Sequence, residues 1–522
     1  MTGVGALLRF ALRRDRLVVP LWVLALAAAY ASVAGSLERL YPSDAQRAAL
    51  AADMNANPSI RALYGPVLGD SVGSLAVWRM GVLGAALAAV MSVLLVVRHT
   101  REEEESGRQE MLAAGAVARH APLTTALLTA LLADAALAAG IAASMTASGQ
   151  GAAGALALGA AVGATGAVFA ATAAVTAQLT QSARLARGLA VGALGAAFAV
   201  RAAGDAGSAA GDSVLSWLSP VGWAGHVRPY GGERWTVLLL AAAAFAIQVA
   251  VAYALAARRD TGSGLLAARP GPDTGRLTTA RGLAWRLQRG GLLGWSAGFL
   301  AAGLVLGGVV DGAADAVAGN DGALAVIERL GGAAALTDAF LAAIVGLFGL
   351  VAAVYTTASV LRLRGEETSG RAEALLAAPV SRAGWALGHL AMALGGAVLL
   401  MLSGGAGLAI GYGAGPGRVL GACLTQLPAV WLLGGMVTAL YGVRPRAAAS
   451  LGWSAVGACL ALGWIGPALD LPRWATGLSP FGHVPKAPHA EMEWTPLLLL
   501  CALAAALVAS GLLALGRRDV QG

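Results

Sequence analysis

The sequence predicts an all-α polytopic membrane protein with twelve transmembrane helices, arranged as two parallel six-span repeats that form a pseudo-dimer. Hydrophobic residues occupy 58% of the 522 positions and charged residues only 12%, whereas a soluble globular chain is about half apolar and a quarter charged. Apolar runs of about 20 residues, long enough to cross ~30 Å of hydrocarbon, recur along the chain. Several short motifs also occur once in each half of the sequence.

The twelve longest apolar runs define the predicted spans and the domain boundaries. They lie at 17–36, 80–97, 121–145, 153–178, 188–203, 235–257, 291–311, 339–361, 384–411, 418–442, 448–469 and 495–516. Residues 1–16 are basic and amphipathic, which is typical of a helix in the lipid headgroup layer. We therefore predict a first six-span half at 1–257, a linker and interfacial helix at 258–290, and a second six-span half at 291–522.

The densest charge in each half lies in a segment that occurs twice. Elbow 1, Arg101–Arg119, reads REEEESGRQEMLAAGAVAR, and elbow 2, Arg364–Arg382, reads RGEETSGRAEALLAAPVSR. Eleven of the 19 aligned positions are identical at an offset of 263 residues. The identical pairs include Glu103/Glu366, Glu104/Glu367, Gly107/Gly370, Arg108/Arg371 and Glu110/Glu373.

Three further matches keep the same order in both halves. LSPVG at 218–222 matches LSPFG at 478–482, Trp235-Thr236 matches Trp494-Thr495, and Arg258-Arg259-Asp260 matches Arg517-Arg518-Asp519. Repetition at a fixed spacing indicates an internal duplication. Because each half has an even number of predicted spans, both copies have the same orientation in the membrane.

The distribution of basic residues predicts which side of the membrane the elbows face. Of the 36 lysines and arginines, 25 lie in segments on the elbow side. Basic residues concentrate in cytoplasmic loops, so we expect a plasma-membrane protein with cytoplasmic elbows and cytoplasmic termini. The arginines are spread over short loops without a basic face, which argues against nucleic acid as a partner.

The local pattern predicts a short helix in each elbow. Ser106 and Ser369 are suitable first residues of a helix, and Ser106 with Gln109 matches a capping box. A helix of about ten residues does not persist alone in water. It must therefore rest on the spans of its own chain or on another protein, unless the segment is a solvated loop.

The loop at 37–79, predicted to lie outside the cell, combines a helical pattern with a turn pattern. Ser43 and Gln46 match a capping box at the start of the helical pattern, and NPSIRALYGP at 57–66 is rich in turn residues. The LSP segments at 218–222 and 478–482 precede the last span of each half. Proline and a nearby tryptophan suit a short re-entrant or interfacial hairpin, and an ordinary external loop fits equally well.

Two charges fall inside predicted spans. Asp134 in span 3 and Arg201 in span 5 are candidates for the substrate path, since charges within a membrane are costly and are functional by default. The alternatives are that they pair with each other or lie nearer the interface. His389 has no ligand-type neighbour at metal spacing, so we expect a packing role. Gly159 and Gly163 form a GxxxG pattern, which permits close helix contact, although the high glycine content of the chain explains it as well.

The elbow pair, the LSP segments and NPSIRALYGP together resemble the permease subunit of ABC-2-type exporters. The likeness covers nearly the whole chain and is strongest to twelve-span actinobacterial permeases described as polyketide-antibiotic or tetronasin exporters. The resemblance implies that each elbow is a coupling helix that binds an ATPase subunit. It also implies the contact residues, which are Glu103, Glu104, Gly107, Arg108, Glu110, Glu366, Glu367, Gly370, Arg371 and Glu373.

The sequence independently supports an ATPase on a separate chain. A P-loop requires a lysine after its glycines, and the single lysine, Lys486, lies in GHVPKAPH, which is not a P-loop. We therefore expect no cofactor, metal or catalytic residue on this chain, with ATP and Mg²⁺ bound by a P-loop ABC ATPase, in two copies. The expected cargo is a small amphipathic or hydrophobic compound, as in multidrug or antibiotic efflux.

Two other classes of protein are alternatives to this one. A proton-coupled secondary transporter also uses parallel six-span repeats, and Asp134 is its only plausible coupling carboxylate in this sequence. A membrane-embedded transferase or hydrolase requires a catalytic cluster at one membrane interface, and the sequence offers none.

Overall fold

The computed structural model describes residues 3–113, 115, 117–260, 262–266, 279–318, 333–413, 415–464, 477–485, 487–488 and 492–518. All regular elements within these ranges are helical, which confirms the predicted all-α class. The chain divides into two compact units, Met1–Pro270 and Gly271–Gly522.

Thirteen helices are described in the first unit. They are α1 (Val4–Arg14), α2 (Val18–Leu40), α3 (Asp44–Ala56), α4 (Pro58–Tyr64), α5 (Val72–Arg98), α6 (Arg101–Glu105), α7 (Arg108–Ala113), α8 (Ala121–Ala147), α9 (Ala152–Leu179), α10 (Ala183–Gly207), α11 (Val214–Trp217), α12 (Pro220–His226) and α13 (Val237–Ala257). Helix α9 packs against α5, α8 and α13, and α2 packs against α5 and α8.

Eight α-helices are described in the second unit. They are α14 (Ala280–Ala318), α15 (Ala333–Thr368), α16 (Arg371–Leu376), α17 (Arg382–Tyr412), α18 (Pro416–Leu424), α19 (Leu427–Val443), α20 (Pro445–Trp464) and α21 (Trp494–Arg517). A short 3-10 helix, Pro480–His483, covers part of the second LSP segment. Helix α14 packs along α17, and α19 packs along α21 and α15.

Eleven helical segments in the described part of the chain are long and apolar enough to cross a membrane. Each coincides with one of the twelve predicted spans. The remaining predicted span, 448–469, overlaps α20, and its last five residues lie outside the described residues. The molecule is therefore a polytopic helical membrane protein, and the count of twelve stays a prediction.

Glycines allow the helices of the first unit to touch backbone to backbone. A Cβ atom placed on Gly159 would lie 2.3 Å from the carbonyl oxygen of Ala138 in α8, and one on Gly163 would lie 3.0 Å from the carbonyl oxygen of Asp134. The GxxxG pair of α9 therefore forms a close contact with α8. In the second unit, Gly303 of α14 meets the carbonyl oxygen of Gly404 in the same way, at 2.3 Å.

The loop between α2 and α5 is more helical than its turn pattern suggests. The predicted capping box is present, since the Gln46 N–H donates to Ser43 Oγ and the Ser43 N–H donates to Gln46 Oε1, both over 3.3 Å. The prediction of a turn at 57–66 was wrong. The Asn57 side chain accepts hydrogen bonds from the backbone of Ser59 and caps α4, whose first residue is a proline. Turn residues also begin helices when a capping side chain meets Pro at N1.

Replacing Gly159 by alanine is expected to lower the apparent midpoint of thermal unfolding, because the new methyl group would overlap the carbonyl of Ala138. Overpacking of this kind costs about 1–3 kcal/mol. The matched control is Gly192→Ala in α10, where an added Cβ meets no atom within 4 Å. Intrinsic-fluorescence melts in detergent measure both variants, and equal midpoints would contradict the backbone contact.

Candidate functional site

Each elbow is two helices joined by a glycine turn. In elbow 1, α6 ends at Glu105, Gly107 has φ +71°, and α7 starts at Arg108. In elbow 2, α15 ends at Thr368, Gly370 also has φ +71°, and α16 starts at Arg371. This left-handed conformation favours glycine over residues with a side chain. The shared glycine is therefore required by the turn itself.

The two elbow serines end helices, which corrects the prediction that they begin them. Ser106 Oγ donates to the carbonyl oxygen of Glu103 over 3.1 Å, and Ser369 Oγ donates to that of Gly365 over 2.8 Å. A hydroxyl close to unpaired carbonyls at a helix C-terminus satisfies them as well as it could cap an N-terminus. The ten-residue helix predicted from these serines is also too long, since α16 has only six residues.

An ion pair closes each glycine turn. Arg108 Nε donates to Glu103 Oε2 over 2.7 Å, and Arg371 Nε donates to Glu366 Oε2 over 2.8 Å. The pair joins residues five apart, so it spans the turn from one short helix to the next. The glutamates lie on the inner side of the turn, whereas the arginine side chains are 48% and 64% exposed.

Glu104, the second glutamate of the pair that both elbows share, anchors the end of the last helix of its unit. The Glu104 side chain is only 4% exposed and accepts hydrogen bonds from Arg259 Nη1 over 2.9 Å and Arg259 Nη2 over 2.6 Å. Arg101 adds a third contact over 2.6 Å. Arg259 is the second residue after α13, which ends at Ala257. A bidentate arginine–carboxylate pair fixes geometry as well as charge.

The corresponding glutamate of elbow 2 makes the corresponding contact. The Glu367 side chain is 4% exposed and accepts from Arg518 Nη1 over 2.7 Å and from Arg518 Nη2 over 2.8 Å. The hydroxyl of Tyr441 also donates to it. Burial opposes the charge on Arg518, but the hydrogen bonds and charge of Glu367 prevail and raise the pKa of the arginine. Arg518 follows α21, the last helix of the second unit.

A third residue of each elbow completes this arrangement. Arg119 Nη2 donates to the backbone carbonyl oxygens of Arg259 over 2.8 Å and Ala256 over 3.3 Å. Arg382 Nη1 donates to the carbonyl oxygen of Arg518. A cation suits the negative end of a helix. We name the sets Glu104, Arg119 and Arg259, and Glu367, Arg382 and Arg518, the terminal clamps of the two units.

Each elbow also holds the amphipathic segment that precedes the first span of its unit. Arg14 of α1 forms an ion pair with Glu103. Asp15 accepts a hydrogen bond from Arg98 Nη1 over 2.6 Å and contacts His99. Burial favours the protonated form of Asp15, but its bond to His99 and the charges of His99 and Arg98 outweigh that effect and lower its pKa. Residues 1–16 are thus bound by charge to elbow 1 through Arg14 and to the end of α5 and the residue after it through Asp15.

In the second unit the link to the preceding segment uses Arg362. Its Nη1 donates to the carbonyl oxygen of Leu287 in α14 over 3.1 Å, and its Nε lies 3.5 Å from Glu366 Oε1. On the apolar side of elbow 2, Leu375 and Leu376 pack against a cluster that includes Trp385. The short helix α16 therefore rests on the spans of its own unit.

Outward-facing residues occupy the start of each second elbow helix. Arg108 and Glu110 are exposed in elbow 1, as are Arg371 and Glu373 in elbow 2. Met111 adds an exposed apolar side chain with 71% of its surface accessible. The predicted contact residues therefore divide into a buried group, whose carboxylates are paired within the chain, and an outward group. Neither group is tested as an ATPase contact.

The two charged candidates for the substrate path are not brought together. Asp134 is 2% exposed, its Oδ1 accepts from Ser92 Oγ over 2.7 Å, and its Oδ2 has no hydrogen-bond partner within the described ranges. Arg201 Nη1 donates to Asp205 Oδ2 over 2.8 Å and Nη2 donates to the carbonyl oxygen of Leu63 over 3.2 Å. Their predicted role in a substrate path is untested.

His389 is part of a buried polar pair. Its Nδ1 lies 3.0 Å from Gln288 Nε2, and its ring meets Trp385 edge to face. Within the described residues, no group of three or more His, Cys, Asp and Glu side chains is placed to hold a metal ion.

Comparison with known proteins identifies the family. The family model described as "Multidrug efflux system permease Rv1217c, C-terminal domain" matches residues 277–515. The multidrug efflux system permease protein Rv1217c of Mycobacterium tuberculosis (strain ATCC 25618 / H37Rv) is 45% identical over 530 residues, covering 100% of this chain and 96% of the relative. The chain belongs to the multidrug efflux system permease family. It is therefore a transport protein of the membrane.

Sequence reasoning missed the partners of the permease's elbow glutamates, although a signal for two of them was present. Arg259 and Arg518 were recognised only as markers of duplication, because their distance in sequence from the elbows hid the contact. Arg14 belongs to the amphipathic segment, and nothing in the pattern links it to Glu103. Ion pairs between residues so far apart in sequence can be predicted only when the arrangement of the spans in the bundle is known.

Replacing Glu104 by glutamine should destabilise the permease by about 3–5 kcal/mol, because it leaves Arg259 buried beside a weaker partner. Arg259→Gln should have a similar effect, and the double variant should lose less than the sum of the two. Chemical denaturation in detergent measures the free energy of unfolding. The control, Glu110→Gln at an exposed position, should change it by less than about 0.5 kcal/mol. Strict additivity would contradict the clamp.

Proposed function

We propose that this permease is the membrane-spanning subunit of an ATP-driven, ABC-2-type exporter that moves amphipathic or hydrophobic compounds out of the cell. The observation that carries the proposal is the pair of elbows, in which equivalent glutamates and arginines form equivalent terminal clamps. The relative with 45% identity is named for multidrug efflux, which supports drugs or antibiotics as cargo. The resemblance to polyketide-antibiotic exporters extends the proposal to antibiotics of that class as cargo.

The energy source is a separate chain in this proposal. The only lysine is Lys486, and its surroundings are not a P-loop. ATP and Mg²⁺ would be bound by a partner ATPase, with one copy at each elbow. The elbows and both termini would then face the cytoplasm, as the concentration of arginines on that side favours. The permease itself carries no catalytic group in this scheme.

The outward residues would make the contact with the motor, and the buried residues would transmit its movement. Arg108 and Glu110 in elbow 1, and Arg371 and Glu373 in elbow 2, are accessible to a partner. Gly107 and Gly370 set the direction of the short helices that carry them. The buried glutamates Glu103, Glu104, Glu366 and Glu367 connect each contact to the rest of its unit.

Movement would pass from each elbow to the last helix of the same unit. The bidentate contact of Glu104 with Arg259 joins elbow 1 to the end of α13, and that of Glu367 with Arg518 joins elbow 2 to the end of α21. Such pairs resist both stretching and rotation. Closure of two ATPases on ATP would thus shift the spans between two discrete packings, which is alternating access.

The six-span halves at 1–257 and 291–522, joined by the linker at 258–290, would be the two moving bodies. The boundary between the two compact units, after Pro270, falls inside that linker. Proline, glycine and arginine are frequent there, in the run ARPGPDTGR.

Reversing charge on the outward face should abolish binding of the ATPase while the permease remains folded. We expect Glu110→Arg combined with Glu373→Arg to lose co-purification of a P-loop ATPase, since neither carboxylate is buried. The matched control is Glu38→Arg combined with Asp53→Arg, two exposed acidic residues of α2 and α3. Affinity purification from the native cell type measures the partner, and unchanged melting shows intact folding. Equal ATPase recovery from both variants would count against the coupling assignment.

One observation favours a second candidate, the proton-coupled transporter. Asp134 is buried, and one of its carboxylate oxygens has no partner within the described residues. A carboxylate in such a setting is a possible proton carrier in a membrane. Its environment is nevertheless that of a packed helix contact, since a Cβ on Gly166 would lie 2.1 Å from Asp134 Oδ1.

Reconstitution distinguishes the two mechanisms. In liposomes that contain the permease alone, a pH gradient should drive no export, and Asp134→Asn should leave ATP-driven export by the assembled transporter within about twofold of wild type. Uptake of a fluorescent amphipathic dye into liposomes that contain either the permease alone or the assembled transporter measures both. Transport driven by the pH gradient alone and lost in Asp134→Asn would replace the ATP-driven proposal.

A further inference from the structure

A pocket in the first unit lies at the opposite end of the bundle from elbow 1. It encloses about 60 Å³, is partly open to solvent, and lies between α5, α9, α10 and α12. Trp78 lines it near the start of α5, whereas elbow 1 follows Arg98 at the end of that helix. At 1.5 Å per residue, these two positions are about 30 Å apart. The pocket and the elbow are thus separated by the thickness of a membrane.

Three residues that line this pocket each carry a buried N–H donor with no acceptor. The donors are Trp78 Nε1, Arg201 Nε and Arg228 Nε, and each is buried without a hydrogen-bond partner among the described residues. Trp78 is 8% exposed and Arg201 only 1%. Buried donors are almost always paired in folded proteins, so three orphans around one cavity require an explanation. A ligand that brings acceptor atoms into the cavity provides one.

The charge of the pocket is positive. Arg201 is balanced by Asp205 over 2.8 Å, and no ion pair is found for Arg228 within the part of the chain described. His226 contributes no charge, because burial and the nearby charges of Arg228 and Arg234 lower its pKa to about 4. Its ring instead stacks on Trp217, with centroids 3.9 Å apart. The acceptor that fits is therefore an anion.

The backbone that presents Arg228 is strained and firmly held. Arg228 has φ +52° and Tyr230 has φ +61°, a conformation that non-glycine residues rarely adopt. The ring of Tyr230 is wedged between α5 and α9, where Cβ atoms on Gly73 and Gly154 would lie 2.8 Å and 2.2 Å from it. Strain that the surroundings enforce is typical of binding and catalytic sites.

The rest of the lining is apolar. Val77 and Val82 of α5, Leu158 and Val162 of α9, and Val221 of α12 contribute side chains to the walls. A few fixed polar groups in a mainly apolar cavity are the usual composition of a small-molecule site. The donors would orient one end of a ligand, and the aliphatic walls would hold a hydrocarbon body.

We propose that this pocket binds an amphipathic anion, with its carboxylate or phosphate group on the N–H donors of Trp78, Arg201 and Arg228 and its apolar body against the valine and leucine walls. Its role as a site that exported cargo occupies rests on the proposed function, whereas the binding itself requires no motor. Cargo and an anionic lipid headgroup share this chemistry, and the experiment separates them.

The first test measures binding to the full chain in phosphatidylcholine nanodiscs, without ATPase or nucleotide. Radiolabelled dodecanoate is expected to bind saturably above the level of empty nanodiscs, and dodecyltrimethylammonium at least tenfold more weakly. Arg228→Asn, which keeps a residue tolerant of positive φ, should weaken dodecanoate binding at least tenfold. Trp78→Phe should weaken it several-fold and provides a second variant if Arg228→Asn fails to fold.

The matched control is Arg79→Gln, which removes a charge at the same end of α5. Arg79 lies over the ring of Tyr64 at 4.6 Å and does not line the pocket, so dodecanoate binding should be unchanged. Equal affinities of Arg228→Asn and Arg79→Gln, or equal affinities for the anion and the cation, would overturn the proposal.

Two further arms assign the occupant and keep the proposals separate. If phosphatidylglycerol at half of the lipid displaces dodecanoate, the anion site is supported and its assignment to cargo is overturned. If it does not, and ATP-driven export of dodecanoate falls at least tenfold in Arg228→Asn, both the site and its cargo are supported. Dodecanoate binding by a chain that shows no ATP-driven transport would support the pocket and contradict only the proposed function.

Discussion

A carboxylate removed from water and held by the arginine that follows the last helix is the contact on which each unit depends. Glu104 and Glu367 are each 4% exposed, and each receives both terminal nitrogens of an arginine that follows the last helix of its unit. An unpaired buried charge is very costly, so each carboxylate depends on this pair, to which Arg101 adds a contact with Glu104 and Tyr441 a contact with Glu367. The contact brings the second intervening loop and the final helix together, although 155 and 151 residues separate the partners in sequence.

The fold was predictable where composition and length dominate. Apolar runs of about 20 residues have few alternatives to a spanning helix, because backbone groups in hydrocarbon must be satisfied within the segment. Eleven of the predicted spans accordingly match long apolar helices. Short elements were less accessible. Ser106 suits either end of a helix, and the residues of 57–66 suit both a turn and a capped helix, so only the tertiary setting decides between them.

The site was predictable in its location and not in its contacts. Repetition marked the elbow residues, since two copies of a charged segment in a chain with few charges are improbable without a shared role. Repetition does not distinguish side chains that face inward from those that face a partner. Glu103 and Glu110 both recur, yet one is held by Arg14 and Arg108 and the other is exposed. Of the pocket that Arg228 lines, the sequence indicated only Arg201, because the strained backbone and the orphan donors exist only in three dimensions.

The elbows share their terminal clamps and their outward Arg–Glu pairs but differ at one outward position. Met111, with 71% of its surface exposed, aligns with the exposed Ala374. Apart from Arg108 and Arg371, which also close the glycine turns, the side chains that stabilise each elbow are separate from those that a partner could touch. Mutations on the outer surface can therefore accumulate without a loss of folding, and each elbow is free to diverge on its own. A duplicated gene with this arrangement can evolve asymmetric recognition while it preserves a symmetric frame.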